Sequence, residues 1–228
     1  MTAPQVKPFT PDAAVLQNIR AMRYMDAGRV AELHQAAMGN SLWARLGTPF
    51  LTELYRGLVE NPLFFGFVYE EGLRIRGFIA GSSDAKAMMD LLFRRRFLTL
   101  GAAASVGVLR RPSVLGKLAQ TARYFKESDD SALVVPAESL FCSFEPELRG
   151  KRVSGHINKV LFDELLARGE THVKVTTETD NIGANRQLTS WGFERRGEFD
   201  FYGKRMVRYV LDLTTSDRVE AISRHPAV

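Results

Sequence analysis

The residues best placed to do chemistry lie in "FEPELRGKRVSGHINKVLFDELLARG", residues 144–169. Arg149, Gly150, Lys151, Arg152, Val153, Ser154 and Gly155 read as a tight basic loop that enters an amphipathic helix. In that helix Ile157, Val160, Leu161 and Leu165 recur at helical spacing, and Gly169 stops the run. The first amides of a helix have no internal partner, and the helix dipole adds positive potential there. A phosphate group satisfies both conditions. Arg149, Lys151 and Arg152 would strengthen the field, and Gly150 and Gly155 would let the backbone approach closely. The competing reading is a basic surface loop whose helix is capped by Ser154.

Few other chemistries are open to this chain. One cysteine, Cys142, excludes an internal disulfide framework and a multi-cysteine metal site. The four histidines do not pair at a ligand spacing, so no metal is expected. Cys142 has no activating partner in its vicinity and reads as a small packed residue rather than a nucleophile. His156 reads either as a helix-surface residue or as a further phosphate contact.

The elements that must position the loop follow from apolar periodicity. "NIRAMRY" suggests a first strand, and "DAGRVAELHQAAM" a helix capped by Asp26. "TPFLTELYRGLVEN" predicts a second helix, with Thr48 as cap and Pro49 at its first position. "FFGFVYEEGLRIRGFIAGS" predicts a hairpin turning near Glu71-Gly72. A strand bent at Pro136 precedes the basic loop. "THVKVTTE", a short helix in "NIGANRQLTSWG" and two closing strands follow. The order is β-α-α-β-β-(insert)-β-α-β-α-β-β, an α/β chain with helices on both faces of a mixed sheet.

This arrangement resembles the GNAT superfamily of acetyl-CoA-dependent N-acetyltransferases. In that family the loop after the fourth strand follows Arg/Gln-x-x-Gly-x-Gly/Ala. Here Arg149 matches the first position, while Arg152 and Ser154 stand at the two later ones. "DNIGANRQLTSWGF" is similar to the family's Asn-x-x-Ala-x-x-x-Tyr-x-x-x-Gly-Phe, with Asn181, Ala184, Gly192 and Phe193 in register and Leu188 at the tyrosine. The resemblance covers residues 18–83 and 132–213. It implies a mostly antiparallel sheet flanked by helices, with a helical insertion between the third and fourth strands. The expected layout is a disordered lead over 1–17, one GNAT-like domain over 18–213 with the insertion at 84–131, and a tail over 214–228.

The resemblance also implies a chemistry. Acetyl-CoA would be the co-substrate, its pyrophosphate held by the 149–155 loop and its pantetheine arm by Asn181, with Asn185 beside it. An amine acceptor would attack the thioester directly, while a backbone N–H of the fourth strand polarises the carbonyl. Phe141 to Phe144 is the candidate stretch and Ser143-Phe144 the favoured place. Glu138 enters that strand where the family often has a catalytic or water-holding carboxylate; its other reading is an exposed strand-edge charge. Glu145 is assigned to the turn. Leu188 cannot donate a proton, so Tyr202, in "DFYGKRM", is the substitute acid, or else the thiolate leaves without one.

Charge is concentrated in the insertion. Residues 86–126 hold nine Lys/Arg against the single acid Asp90, a net +8, which leaves −3 for the rest of a chain of net +5. The uncharged run Phe97–Leu109 is 13 residues, short of the ~20 that span a bilayer. The insertion reads as a lid whose arginines meet an anionic acceptor such as an amino sugar nucleotide, as an interfacial surface on an anionic membrane, or as a helical excursion with a solvated basic face. Nucleic acid is not expected, for want of an aromatic stacking platform. "MTAPQVKPFTPD" does not read as a signal peptide, so the expected compartment is the cytoplasm or the inner membrane face. The rival functional reading is a non-catalytic CoA-binding or membrane-associated module. A homodimer through the last strands is compatible with either.

Overall fold

The computed structural model describes residues 10–39, 41–110, 135–201 and 203–215. The strands are β1 (Ile19–Ala21), β2 (Phe64–Glu71), β3 (Arg74–Ser82), β4 (Glu138–Phe144), β5 (His172–Glu178), β6 (Glu194–Phe201) and β7 (Lys204–Asp212). The helices are α1 (Ala13–Leu16), α2 (Ala27–Met38), α3 (Leu42–Arg45), α4 (Thr48–Val59), α5 (Ala85–Arg110), α6 (Val153–Ala167) and α7 (Ile182–Ser190). The sheet runs β1-β2-β3-β4-β5-β7-β6, antiparallel at every junction except β4–β5. The mostly antiparallel sheet that the resemblance implied is therefore present.

Alternation along the strands gives each sheet face its own core. Phe64, Val68, Phe78 and Ala80 join α2, α3, α4 and α5 on one face. Phe65, Tyr69, Ile79, Val173, Val207 and Tyr209 join α6 and α7 on the other. The β2–β3 turn lies where expected, with Gly72 (φ 58°) and Leu73 (φ 64°) both left-handed, as a two-residue hairpin of this kind requires.

Three local expectations change. Asp26 precedes α2 without capping it, because its carboxylate is held by Arg20 at 2.6 and 3.0 Å and by the Arg23 N–H at 2.7 Å. Thr48 is the first residue of α4 rather than its cap; Gly47 takes the cap at φ 95°. The lead is helical over Ala13–Leu16, because the Asp12 side chain accepts from Ala14 N and its own N–H is bound by His156.

The described part of the insertion is helical over Ala85–Arg110, with one kink that divides it into two stretches. α5 bends only at Arg96 (φ −121°, ψ 22°), whose guanidinium reaches Glu60 at 2.5 Å and Glu53 at 3.4 Å on α4. Helical glycine is tolerated here for a packing reason. A Cβ at Gly107 would lie 2.4 Å from the Leu46 carbonyl oxygen, whereas one at Gly101 would meet open space. Replacing Gly107 by Ala should therefore destabilise the protein by about 1–3 kcal/mol through overpacking. Gly101→Ala should stabilise it by about 0.5–1 kcal/mol. Urea unfolding of the two variants checks the contrast; equal midpoints would remove Gly107 as the docking point of α5.

Candidate active site

The feature that organises the site is a failure of strand pairing. β4 and β5 are parallel partners only at Glu138↔Lys174 and Ser139↔Val175. On its other edge β4 pairs with β3 at Gly81↔Ser139 and then at Ala80↔Phe141, so Leu140 is an extra, unpaired residue. Such a bulge bends its strand and ends regular pairing. It also puts Leu140 and Phe141 against the same core cluster, where strict alternation would have sent them to opposite faces. Beyond it the two strands part, and a cleft opens beside Phe141 to Phe144.

Backbone alternation decides which amide faces the cleft. The Glu145 N–H donates to Arg76 O on β3 at 2.8 Å, so the Ser143 N–H points towards β3 as well. The Phe144 N–H points the other way, into the opening. Of the expected pair Ser143-Phe144, only Phe144 turns its N–H away from β3. Ser143 is committed elsewhere, its hydroxyl donating to Leu33 O on α2 at 3.1 Å. Cys142 is not a packed core residue. Its side chain reaches solvent, while the protein crowded around the sulfur pushes the thiol up to about 12 and keeps it protonated.

The loop that follows β4 is shaped by two left-handed residues, Gly150 (φ 79°) and Arg152 (φ 60°). Arg152 is the N-cap of α6 and supplies no side-chain cap; Ser154 sits inside the first turn and is not the cap. The amides of Arg149, Lys151 and Gly155 are already spent, on Pro146 O, Leu148 O and Arg152 O. Gly155 therefore offers its small size but no donor. The amides of Gly150, Arg152, Val153 and Ser154 have no hydrogen bond among the described residues. The side chains of Arg149, Lys151 and Arg152 are exposed, and those of Arg149 and Arg152 have no ion pair among the described residues. Four free donors ringed by cations suit a polyvalent anion.

His156 holds this geometry together. It is 1% exposed, not a surface residue. Its Nδ1 lies 2.8 Å from Arg152 O and its Nε2 accepts from the Asp12 N–H at 2.8 Å, which requires the neutral Nδ1–H tautomer. Both ring nitrogens are thus engaged inside the fold, which leaves neither for a phosphate. The Arg152 carbonyl also accepts from the Gly155 and His156 amides, at 3.0 and 3.2 Å. In a trans peptide the N–H opposes the C=O, so pinning this carbonyl inward aims the Val153 N–H outward. Sequence reasoning missed Asp12, whose only signal is the backbone of a Pro-rich lead.

Two carboxylates flank β4 in different electrostatic states. Glu145 receives Arg76 at 2.9 Å, Arg74 at 2.5 Å and Arg29 at 2.6 Å, and these bonds, Arg76 first, hold it below the usual carboxylate range. It is an anchor at the loop entrance, held in its charged form by these guanidiniums. Glu138 is the opposite. Burial pushes its carboxyl above the ordinary glutamate value, and Lys174, with Nζ 3.7 Å away, and Arg208 only partly offset this. It is no exposed edge charge. Glu138 stands where β4 and β5 still touch, on the sheet face away from α6 and α7.

The α7 asparagines make hydrogen bonds within the fold. Asn181 caps the helix, its Oδ1 accepting from Ala184 N at 3.2 Å, and its Nδ2 lies 3.3 Å from Thr177 Oγ1. Asn185 Nδ2 donates to the carbonyls of Glu178, Thr179 and Asn181. Leu188, 9% exposed, packs into the core and presents no proton. Tyr202 lies outside the described residues.

No protein-family model and no curated protein matches the sequence. Solved structures do match. An N-acetyltransferase from Staphylococcus aureus Mu50 superposes with a TM-score of 0.55 at 14% identity, covering 85% of this chain and 96% of that one. The ribosomal-protein-S18-alanine N-acetyltransferase of Escherichia coli gives 0.53 at 11%, with 85% and 92% covered. The yncA structure from Salmonella typhimurium with its cofactor acetyl-CoA gives 0.53 at 15%, with 87% and 95% covered.

Removing the imidazole at position 156 leaves the Asp12 N–H without its partner and takes one of three donors from the Arg152 carbonyl. His156→Ala should cost about 1–3 kcal/mol in urea unfolding. It should also speed amide hydrogen exchange over residues 10–17; unchanged exchange there would refute the tie between the lead and the loop.

Proposed function

We propose, from the GNAT acetyltransferase fold that this chain has, that it is an acetyl-CoA-dependent N-acetyltransferase transferring an acetyl group to a primary amine by direct attack in a ternary complex. The observation that carries the proposal is that the Leu140 bulge opens β4 from β5 directly upstream of the loop with four free amides. A thioester carbonyl and a pyrophosphate need these two features side by side.

Bound acetyl-CoA would supply the activated acetyl thioester. The Gly150, Arg152, Val153 and Ser154 amides, with the Arg149, Lys151 and Arg152 side chains, would hold its pyrophosphate. The Phe144 N–H would bind the charge that develops on the carbonyl oxygen. Glu138, its carboxyl raised towards neutrality, would accept the amine proton directly or through one water. With Leu188 at the family's tyrosine position, the leaving thiolate is protonated by water or by Tyr202, the latter named on sequence alone. Asn181 can reach a pantetheine amide only through Nδ2, since its Oδ1 caps α7.

The acceptor is proposed as a small amine. For an anionic one, an amino sugar nucleotide for example, Lys174 and Arg208 beside Glu138 are the cations at hand. Arg96 of α5 is committed to Glu53 and Glu60 and is not free for that role.

Titration calorimetry tests the cofactor assignment. Acetyl-CoA should bind in the micromolar range, and an Arg149→Ala, Lys151→Ala double variant should weaken it by about tenfold or more, roughly 1.4 kcal/mol. No binding by the intact protein would reject the assignment and favour a fold that has lost its cofactor. The base has its own test once an amine panel yields turnover. The deprotonated Glu138 is the active form and its carboxyl is raised, so kcat/KM should fall as pH drops through an apparent pKa above the ordinary 4.5. Glu138→Gln should remove that acidic limb and lower the rate by about 10²–10⁴-fold. A full rate with the limb intact would exclude Glu138.

A further inference from the structure

Among the described residues, large apolar side chains stand in solvent at only a few places, and one helix holds three of them. Phe97 is 72% exposed, Leu98 82% and Leu109 82%, all on α5 beyond its bend at Arg96. The inner side of this distal half is accounted for. Leu100 is buried, Ala103 and Ala104 pack on the core, and Gly107 rests on the Leu46 backbone. The outer side is Phe97, Leu98, Gly101, Ala102, Ser105 and Leu109, all exposed.

That outer side is chemically odd. The helical positions 98, 102, 105 and 109 form one stripe, and not one residue from Phe97 to Leu109 is charged. A helix that covers a soluble domain normally turns charged residues to water. Here charge stands at the near end of the stripe instead. Arg94 and Arg95 are exposed and make no ion pair among the described residues. Over its whole length α5 carries five basic residues, Lys86, Arg94, Arg95, Arg96 and Arg110, against Asp90.

We propose that the distal half of α5 is a docking surface for an anionic phospholipid bilayer. The helix lies along the interface, with Phe97, Leu98 and Leu109 at the acyl boundary and Arg94 and Arg95 on lipid phosphates. It does not cross. The uncharged run extends about 20 Å against the ~30 Å of a hydrocarbon core, and no described helix is long and apolar enough to span a membrane. Charge selects this occupant over a second copy of the chain, because two such faces would bring like-charged arginines together, whereas an anionic bilayer supplies their complement. The proposal stands apart from the acetyl-transfer reading, since α5 packs on α4 and not on the β4–β5 cleft.

The test is co-sedimentation of the full-length protein with phosphatidylcholine vesicles, with and without phosphatidylglycerol, at low and high salt. Binding should require phosphatidylglycerol and fall with salt. A Phe97→Glu, Leu98→Glu variant should lose it by at least about tenfold, and Arg94→Ala, Arg95→Ala should weaken it by about tenfold or more. All four residues are exposed, so melting temperatures should stay within a few degrees of the parent and exclude misfolding as the cause. Equal binding to both vesicle types, no binding, or variants that bind like the parent would overturn the proposal. So would a concentration-dependent dimer in size-exclusion chromatography that Phe97→Glu, Leu98→Glu abolishes while vesicles capture nothing.

Discussion

Everything at the candidate site depends on two parallel strands that stop pairing after two residue pairs. A sheet interior does not leave a strand edge unpaired without a reason, because each open amide forfeits a hydrogen bond. In this protein the cause is local and covalent. The extra residue at Leu140 gives β4 one residue more than β3 can match, and the strand bends away from β5. The bend leaves the Phe144 amide facing the gap and sets Glu138 at its closed end. It also directs the chain into the loop whose amides are free. One inserted residue brings together an open amide, a buried carboxylate and the loop whose amides are free among the described residues.

The cradle itself is held from behind. Arg152 is a non-glycine residue in the left-handed region, which persists only when its surroundings fix it. Those surroundings are visible: three donors converge on its carbonyl, one of them the buried imidazole of His156, and the imidazole is in turn tied to the backbone at Asp12. At the other end of the loop Glu145 gathers Arg29, Arg74 and Arg76 from α2 and β3. Partly exposed pairs of this kind contribute little singly, but a shared carboxylate fixes the relative position of three elements. It also occupies three guanidiniums, while Arg149 and Arg152 of the loop have no ion pair among the described residues. Preorganisation of this kind lets a phosphate bind without first ordering the chain.

The α2–α5 side of the sheet answers to other constraints. His34, buried against Tyr55 at 2.7 Å and beside the Phe141 ring, is driven down to about 4 by burial and so stays neutral. It supports the bulged part of β4 from beneath. α5 is fastened to the same layer by Gly107 and by Arg96, and its free side turns away from the cleft. The described part of α5 and the β4–β5 opening thus lie on separate surfaces.

The order of elements, a hairpin turn close to Gly72 and the basic loop before α6 were legible in the sequence, because periodicity and glycine placement are local properties. So was the inability of Leu188 to serve as an acid. Other features were decided by tertiary contact alone. Which amides of the loop remain free depends on where each carbonyl points. Whether Asp26 and Thr48 cap their helices depends on competitors such as Arg20. His156 reads as a surface residue until a distant segment, 144 residues away, closes over it. The need for a glycine at position 107 is set by the backbone of Leu46. Types and spacing limited which chemistry could occur; partners brought from afar determined which atoms are left to perform it, because a hydrogen-bonding group already satisfied inside the fold is no longer available to a ligand.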